Sequence, residues 1–427
     1  MFRPACHVIS TGSPGRPDER AMNRPIRIAH YVSLSGFGGV EQQFSAFAVR
    51  AARRAGVSQT AVACSREIHP HHAEALSQLD DWAFEKKWRG WTIPKRPRAW
   101  RRRWARHLVG TQQPDVALLW NRLGQQARAI ELIGARRALY WEHGSAWLFG
   151  EDEAKRAALA RMPAVIANSV AARRMLQLRW DYDGPVRVIP NGVRAPVANT
   201  SRTLLSDRPI RLGVAGRLIP IKGVVLALHT LARLTEQGVS ATLSIAGDGP
   251  LRARLAAQAE QLGVQTRVHF AGVVDDMPGF FAGIDLLIHP ALREPFGMVA
   301  AEAQAAGVPV VCSAVDGLPE VVADDVSGLC VPPVSDLTRH RALGGDNDGL
   351  PPVVYQPTTD RVAAPLICEP ADLAGAVAAL AGDPTRYHAM SEAALARMRA
   401  GFGFETHVEG VLAAAREYAE TGTLNVS

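Results

Sequence analysis

Short apolar runs rich in β-branched residues alternate with helix-like segments along most of the 427-residue chain. In the first half of the chain, these runs occupy residues 26–32, 57–64, 115–120, 138–141, 164–167 and 186–189. In the second half, they occupy residues 210–215, 242–246, 268–270, 286–289, 308–311 and 329–331. This alternation is typical of parallel strands covered by helices on both faces. We therefore predict an α/β protein with two tandem doubly wound, Rossmann-like parallel-sheet domains that face a cleft.

The predicted domain boundaries follow breaks in this pattern. The chain is longer than one hydrophobic core supports, so two domains are expected. Residues 1–24 are rich in Pro, Gly and Arg and lack the apolar core of a secretory signal, and we predict a disordered tail there. The first domain then covers residues 25–194, a Pro- and polar-rich linker covers 195–208, and the second domain covers 209–400.

One segment of the second domain, residues 334–368, breaks the alternation. It contains the run Gly-Gly-Asp-Asn-Asp-Gly and has no clear apolar periodicity. Such a segment is either a functional flap or a disordered insertion, and its composition favours disorder. We therefore expect most of it to be dispensable for folding. Helical patterns return at residues 371–380, 384–399 and 405–419.

Composition and charge narrow the class of protein. Hydrophobic residues make up 47% of the chain and charged residues 21%, as is usual for soluble globular proteins. No apolar run approaches the ~20 residues that a membrane span needs. The five cysteines lack a metal-ligand spacing, and without a secretory signal they predict a reduced, cytoplasmic compartment. The net charge of +7 favours anionic partners.

The most informative motif of the second half carries two acids, Glu294 and Glu302, eight positions apart. Phe296 and Gly297 follow the first acid and precede a helix-like segment. A loop that ends in glycine and opens a helix presents free backbone N–H groups and a positive dipole end to a ligand. Both acids are therefore expected to border one anionic ligand at the helix start.

A second glycine turn carries two cations. Gly216 and Arg217 end a predicted strand, and Lys222 and Gly223 open the following helix. Glycines let a ligand approach the backbone, and the cations stand where phosphates bind at a helix start. The alternative is an ordinary strand–helix turn whose charges are solvated.

In the first half, two strand ends are candidates for the same cleft. Gly38 and Gly39 follow the first strand and open a helix, where their N–H groups can approach a ligand. His143 follows another predicted strand and is itself followed by glycine. A lone histidine is usually structural, but its position at a strand end favours a site role.

Together these motifs resemble those of the family 4 glycosyltransferases, which are retaining enzymes of the GT-B type. The resemblance covers residues 26–331 and resumes from residue 369 to the C-terminal helix. Its most specific part is Arg-Glu-Pro-Phe-Gly at residues 293–297, followed by Ala-Gly-Val-Pro-Val-Val and Gly-Leu-Pro-Glu. It implies a first domain that binds the acceptor, a second that binds the donor, and a C-terminal helix in residues 401–427 that crosses back to the first domain.

The resemblance also implies roles for the matching residues. Arg217 and Lys222 are expected to hold the donor diphosphate, and Glu302 the ribose. Glu294, with the backbone N–H groups after Phe296, is expected to hold the donor sugar and phosphate. The catalytic set implied is His143, Arg217, Lys222 and Glu294. The donor-binding set implied is Gly38, Gly39, Gly216, Arg217, Lys222, Val273, Glu294, Phe296, Gly297, Met298 and Glu302.

The predicted function is the transfer of a hexosyl-type sugar from a nucleotide-diphosphate sugar to a glycan or lipid-linked acceptor, in bacterial envelope polysaccharide or lipopolysaccharide synthesis. No cofactor or metal is expected, because two cations and helix dipoles can stabilise a departing diphosphate. Two alternatives remain, a nucleotide-sugar epimerase on the same fold and a basic nucleic-acid-binding protein. The second is disfavoured because no nucleic-acid recognition motif appears.

Residues 82–106 combine five of the nine tryptophans with ten basic residues and a single acid, Glu85. Tryptophan prefers the headgroup region of a membrane, and basic residues are attracted to anionic lipid. This indicates a peripheral contact with the inner face of the cytoplasmic membrane, where a lipid-linked acceptor is reached. The alternative is a solvated helix whose tryptophans pack inward.

Overall fold

The structure is a computed structural model that describes residues 25–426, apart from 37, 89–90, 94–97, 151, 196 and 206. The predicted tail, residues 1–24, lies outside the described residues. Within them, the chain forms two α/β domains, each built on one parallel sheet.

The first domain contains strands β1 (Ile26–Val32), β2 (Val57–Ala63), β3 (Asp81–Phe84), β4 (Lys87–Trp88), β5 (Trp91–Thr92), β6 (Val116–Trp120), β7 (Ala138–Glu142), β8 (Val165–Ala167) and β9 (Val186–Val188). Its helices are α1 (Gly39–Ala51), α2 (Ala73–Ser77), α3 (Arg98–Gln112), α4 (Leu123–Ile133), α5 (Asp152–Leu159) and α6 (Val170–Trp180). Seven of the strands form the parallel sheet in the order β3-β2-β1-β6-β7-β8-β9, while β4 and β5 pair separately. The central strands are buried because helices cover both faces of the sheet.

The second domain contains strands β10 (Ile210–Ala215), β11 (Ala241–Ala246), β12 (Val268–Gly272), β13 (Leu286–His289), β14 (Val310–Ser313), β15 (Gly328–Val331), β16 (Val354–Gln356) and β17 (Arg361–Ala363). The helices that follow β10 are α7 (Val224–Glu236), α8 (Arg252–Gln261), α9 (Met277–Ala282), α10 (Met298–Ala305), α11 (Leu318–Val321), α12 (Leu337–Ala342), α13 (Pro370–Ala381), α14 (Pro384–Gly401) and α15 (Phe404–Thr421). The parallel sheet has the order β12-β11-β10-β13-β14-β15, and β16 and β17 form a separate antiparallel hairpin.

These two sheets confirm the predicted fold class. In each sheet the strand order reverses beside the first strand, between β1 and β6 and between β10 and β13. Ligands of doubly wound sheets bind at the carboxyl ends of the strands at such a switch point. The two switch points therefore position the candidate sites considered below.

Two strands differ from the predicted pattern for physical reasons. β14 begins at Val310 instead of residue 308, because Pro309 has no N–H group to pair with a neighbouring strand. The edge strand β3 is missing from the prediction because its first two residues, Asp81 and Trp82, are exposed.

The expected disorder of residues 334–368 is wrong. The segment forms α12 and the β16–β17 hairpin. The backbones of Ser335 and Ile367 pair with each other, with N···O distances of 2.8 and 3.1 Å. Val354, Tyr355 and Ile367 are buried in the hydrophobic cores. These apolar residues are scattered through the segment without periodicity, so the sequence pattern does not reveal their burial.

The chain passes between the domains twice, at neighbouring positions. The backbone N–H of Val193 donates to the carbonyl of Phe402 at 2.8 Å, and Val193 pairs with Gly403 as a short parallel bridge. After the second crossing, α15 packs into the core of the first domain. Its Tyr418 hydroxyl donates to the Ala138 carbonyl at 2.9 Å. The last helix therefore fastens the end of the chain to the first sheet.

The packing of residues 334–368 predicts a cost for core truncation there. Ile367→Ala removes a side chain that is 1% exposed, and we expect a loss of about 2–5 kcal/mol in the free energy of unfolding. The matched control is Thr358→Ala, which changes an exposed position of the same segment. Urea unfolding monitored by circular dichroism measures both. Equal stability of the two variants would show that the segment is not packed.

Candidate active site

The candidate site lies at the switch point of the second sheet. β10 ends next to Gly216 and Arg217, and the neighbouring strand β13 ends at His289. A 3₁₀ turn, Pro220–Lys222, then leads into α7. A Cβ atom on Gly216 would lie 3.6 Å from the Lys222 side chain, so the two residues are neighbours across this turn.

Gly223 fixes the approach of the turn to the rest of the site. Its φ of +61° lies in the left-handed region that favours glycine. A Cβ atom there would lie 2.1 Å from the carbonyl oxygen of Pro290. Glycine is thus required for α7 to begin this close to the loop after β13. The close approach brings Lys222 to Glu294.

Glu294 is the centre of a charged cluster. Its Oε2 atom lies 2.6 Å from Lys222 Nζ and 2.9 Å from His289 Nε2, and the side chain is 13% exposed. Burial favours the protonated carboxyl, but the charge of Lys222 and the hydrogen bond from His289 outweigh it and lower the pKa of Glu294. The carboxylate is therefore ionised over the whole working range of pH.

The peptide group of Glu294 is held from both sides by the loop after β14. Its N–H donates to Asp316 Oδ2 at 2.9 Å, and its carbonyl accepts from the Gly317 N–H at 3.1 Å. A Cβ atom on Gly317 would lie 2.4 Å from the Pro295 carbonyl, so only glycine fits. Burial raises the pKa of Asp316 to about 6, and hydrogen bonds from its donors oppose the shift.

α10 begins immediately after this loop. Gly297 caps the helix with a φ of +104°, and a Cβ atom there would lie 2.8 Å from Leu318. Met298 is the first helical residue, and its sulfur accepts from Gln43 of the first domain at 3.3 Å. The helix start therefore borders the cleft, as the sequence predicts.

The other site residues predicted in the second domain differ in how exposed their side chains are. Glu302 lies inside α10, where burial raises its pKa against the opposing charge of Arg194. Arg217 is exposed beside the Lys222 turn, and Val273, after β12, is 75% exposed. Phe296 is 4% exposed and packs in the core, so its side chain supports the loop instead of lining an open site.

In the first domain, His143 follows β7 and is almost fully buried. Its ring stacks on Trp120 with centroids 5.4 Å apart, and Trp141 lies 4.8 Å away. Burial, with a smaller effect of nearby His407, lowers the pKa of His143 to about 3, so the imidazole is neutral near pH 7. Among the described residues, its Nε2 atom has no hydrogen-bond partner.

Gly38 and Gly39 follow β1 and open α1, as predicted, and they lie at the switch point of the first sheet. Gly38 caps α1, and its N–H donates to the Glu41 carboxylate at 3.2 Å. Gly39 is the first residue of the helix, and both glycines are exposed. Their neighbour Phe37 lies outside the described residues. The glycine loop thus offers backbone groups at the cleft side of β1.

Loops of the two domains contact each other directly beside Glu294. Trp147 Nε1 of the first domain donates to Asp316 Oδ1 at 2.8 Å, and Arg293 donates to the Gly144 carbonyl at 2.9 Å. Ser169, which caps α6, donates to the Pro295 carbonyl at 2.6 Å. These bonds place the end of β7, with His143, next to the loop that carries Glu294.

A further carboxylate, Glu320 on α11, caps a helix of the other domain. It accepts from the N–H groups of Val170 and Ala171 at 2.6 and 2.7 Å, at the start of α6. Burial raises its pKa to about 7, while the two backbone hydrogen bonds oppose the shift. The negative form is stabilised here by the positive end of the helix dipole.

Sequence reasoning missed four of the residues that shape this site: His289, Arg293, Asp316 and Glu320. His289 stands at the last position of a predicted strand, a signal that could have marked it. Arg293 and Glu320 lie inside the Arg-Glu-Pro-Phe-Gly and Gly-Leu-Pro-Glu motifs, but these motifs do not indicate their roles. Asp316 has no local signal. All three act through tertiary hydrogen bonds. No group of three or more His, Cys, Asp or Glu side chains in the described part of the chain is arranged to hold a metal ion.

Two glycosyltransferase family models match the chain, one in each domain. The model described as Glycosyltransferase Family 4 matches residues 37–195, and the model described as Glycosyl transferases group 1 matches residues 199–341. The chain belongs to the family 4 glycosyltransferases. This confirms the resemblance carried by the motifs.

Curated relatives of this family 4 glycosyltransferase match over part of their length. The lipopolysaccharide core biosynthesis glycosyltransferase LpsE of Rhizobium meliloti is 28% identical over 231 residues, which cover 53% of this chain and 63% of LpsE. A D-inositol 3-phosphate glycosyltransferase of Salinispora tropica is 31% identical over 223 residues, covering 46% and 45%. The matches thus span less than two-thirds of these relatives.

Solved structures match over nearly the whole chain. Anabaena HepE, in complex with UDP, superposes with a TM-score of 0.69 at 20% identity, covering 92% of this chain and all of HepE. WaaG, a glycosyltransferase involved in lipopolysaccharide biosynthesis, gives a TM-score of 0.60 at 18% identity, covering 90% and 98%. At these identities the likeness shows the shared GT-B fold.

The buried position of Glu320 predicts a pH-dependent stability in this family 4 glycosyltransferase. Its pKa rises from an unperturbed 4.5 to about 7 on folding, so the folded protein holds a proton that the unfolded chain has lost. The resulting stability is complete below pH 4.5 and is lost as the pH rises through 7. Glu320→Gln mimics the protonated group, and we expect its stability relative to the wild type to increase from pH 5 to pH 8.

Denaturant unfolding at both pH values measures this difference. Glu236→Gln, at an exposed position of α7, is the matched control, and its difference from the wild type should not change with pH. A Glu320→Gln difference that is equally independent of pH would contradict the assignment.

Proposed function

We propose that this protein is a retaining glycosyltransferase that moves a sugar from a nucleotide-diphosphate sugar to a glycan or lipid-linked acceptor. The observation that carries the proposal is the Lys222–Glu294–His289 cluster at the switch point of the second sheet. A cation, an ionised carboxylate and a glycine-led helix start meet there, which suits a ligand with both phosphates and hydroxyl groups. Retention of configuration follows the family resemblance.

The reaction requires that the negative charge on the departing diphosphate be stabilised. Lys222 and the exposed Arg217 supply positive charge, and the free N–H groups at the start of α10 supply further donors. We propose that these groups act without a metal ion. Glu294 accepts hydrogen bonds from the sugar, and its ties to Lys222 and His289 leave it unsuited to act as a covalent nucleophile.

The first domain supplies the other wall of the cleft. His143 stands at the end of β7 with a neutral imidazole and an Nε2 atom that has no hydrogen-bond partner among the described residues. A neutral imidazole can donate to or accept from a sugar hydroxyl without adding charge. We therefore assign His143 to the transferred sugar, and the Gly38–Gly39 loop to the phosphate or the acceptor.

The acceptor is proposed to belong to the bacterial envelope. LpsE, a lipopolysaccharide core biosynthesis glycosyltransferase, is among the relatives, which supports a lipopolysaccharide-type glycan. The protein is proposed to work in the cytoplasm, at the inner face of the cytoplasmic membrane. None of the helices in the described part of the chain is both long and apolar enough to cross a membrane.

The proposed surface for this membrane contact is the aromatic and basic segment of residues 82–106, which runs from β3 into α3. Its tryptophans do not all pack inward, because Trp91 is 81% and Trp100 is 62% exposed. With Trp104, Arg103 and His107 they line a groove of about 730 Å³. Exposed indole rings beside basic side chains suit the headgroup region of an anionic membrane.

Transfer activity is tested by release of nucleoside diphosphate and by incorporation of labelled sugar from a panel of nucleotide sugars into lipopolysaccharide-type glycans. We expect release to depend on the acceptor. Lys222→Ala should lower kcat/KM by about 10²–10³, because it removes a cation from the diphosphate. Arg233→Ala, in an exposed ion pair on α7, is the control and should stay within about twofold. An epimerised sugar formed without acceptor would contradict the proposal.

Membrane contact is tested by co-sedimentation with vesicles of phosphatidylglycerol or of phosphatidylcholine alone. The wild type should prefer the anionic vesicles, and Trp100→Ala combined with Arg103→Ala should lose most of this binding. Phe149→Ala, which removes an exposed aromatic side chain outside the segment, should bind like the wild type. Negligible binding of the wild type to both vesicles would contradict a membrane role.

A further inference from the structure

The hairpin formed by β16 and β17 contacts both domains. It belongs to the second domain by sequence, yet Asp360 in its turn lies against Arg174 on α6 of the first domain. Arg174 Nε donates to Asp360 Oδ1 at 2.7 Å and its Nη2 donates to Oδ2 at 2.5 Å. This bidentate pair fixes the orientation of the two side chains as well as the distance between them. The hairpin therefore bridges the two domains, and this pair fixes its turn against α6.

The same hairpin reaches the candidate site from its other end. The Tyr355 hydroxyl donates to Asp360 Oδ1 at 2.9 Å. The Tyr355 N–H donates to Asp316 Oδ1 at 2.8 Å, and the Asp316 N–H donates to the Tyr355 carbonyl at 3.0 Å. Asp316 in turn accepts the N–H of Glu294. Each residue in this series therefore touches the next.

We propose that the β16–β17 hairpin is a positioning element that couples the position of the first domain to the position of Glu294. The series runs from Arg174 through Asp360, Tyr355 and Asp316 to the peptide group of Glu294. Tyr355, Asp316 and the hairpin touch no reacting atom, so they act through Glu294. The inference rests on the proposed function only for the role given to Glu294.

Two features separate this proposal from a purely structural hairpin. The Arg174–Asp360 pair is partly exposed, with 27% and 55% of the side chains accessible, and such pairs add little to global stability. Asp316, by contrast, is fully buried and is hydrogen bonded on both oxygens. Loss of the outer pair should therefore leave the melting temperature almost unchanged while loosening the inner loop.

The test is hydrogen–deuterium exchange of the Glu294 amide in the full-length protein without substrate. Asp360 has a φ of +49°, a conformation that asparagine also tolerates, so Asp360→Asn removes the charge with little backbone strain. We expect Asp360→Asn and Arg174→Gln each to raise exchange at residue 294 about 10-fold, with no further rise in the double variant. Tyr355→Phe, which removes only the hydroxyl link, should do the same.

The matched control is Asp181→Asn, which breaks an exposed Arg–Asp pair with Arg156 inside the first domain. Asp181 also has a positive φ, and its variant should leave exchange at residue 294 unchanged. Unchanged exchange in Asp360→Asn, or a rise equal to that in the control, would overturn the proposal. So would additive effects of Asp360→Asn and Arg174→Gln.

Exchange is measured without catalysis, so this test stands apart from the proposed function. Where transfer is active, Asp360→Asn should raise the donor KM several-fold with a smaller change in kcat. A response in exchange without any transfer activity would leave the hairpin inference standing and remove the glycosyltransferase proposal. Activity that is unaffected alongside unchanged exchange would remove the inference alone.

Discussion

The site depends on keeping the Glu294 carboxylate charged within a largely buried pocket. A charge in this position needs a close partner of opposite sign, which Lys222 provides at 2.6 Å, and His289 donates a hydrogen bond to the same oxygen at 2.9 Å. Lys222 lies in the 3₁₀ turn after β10 and His289 is the last residue of β13, and these two strands flank the switch point. Gly223 permits the close approach of α7 to the loop after β13. The sheet topology and one glycine thus determine where the charges meet.

The second constraint is the contact between the domains. Carboxylates of the second domain accept N–H groups of the first at two places: Asp316 from Trp147, and Glu320 from the start of α6. Burial raises the pKa of both acids, so each is held at some electrostatic cost. Groups of this kind are poorly explained by stability alone. Asp316 holds the Glu294 peptide and Glu320 holds the start of α6, so both acids orient loops of the cleft.

Much of the fold follows from local sequence signals. The buried strands are continuous apolar runs, and the glycines at strand ends mark the loops that face the cleft. The edge strand β3 is not predicted because Asp81 and Trp82 are exposed. The start of β14 is later than predicted because of Pro309. The composition of residues 334–368 wrongly predicts disorder, because a few scattered apolar side chains such as Tyr355 are buried in the core.

The candidate site was only partly visible in the sequence. Lys222, Glu294 and Gly297 stand in glycine-flanked motifs, so the residue types and spacing indicated their chemistry. Asp316 carries no such signal, and the motif that contains Arg293 does not indicate its role, because both roles arise from hydrogen bonds between distant segments. Phe296 shows the reverse case, a motif residue whose side chain is packed in the core. Local patterns predict which loops matter, while tertiary contacts decide which side chains do.

The most direct measurement is a crystal structure with a bound nucleotide sugar, chosen as the one that most raises the melting temperature in a panel. The predicted result places the diphosphate between Arg217 and Lys222 and the sugar beside Glu294, with His143 on the opposite wall. A nucleotide bound away from the carboxyl ends of β10 and β13 would contradict it.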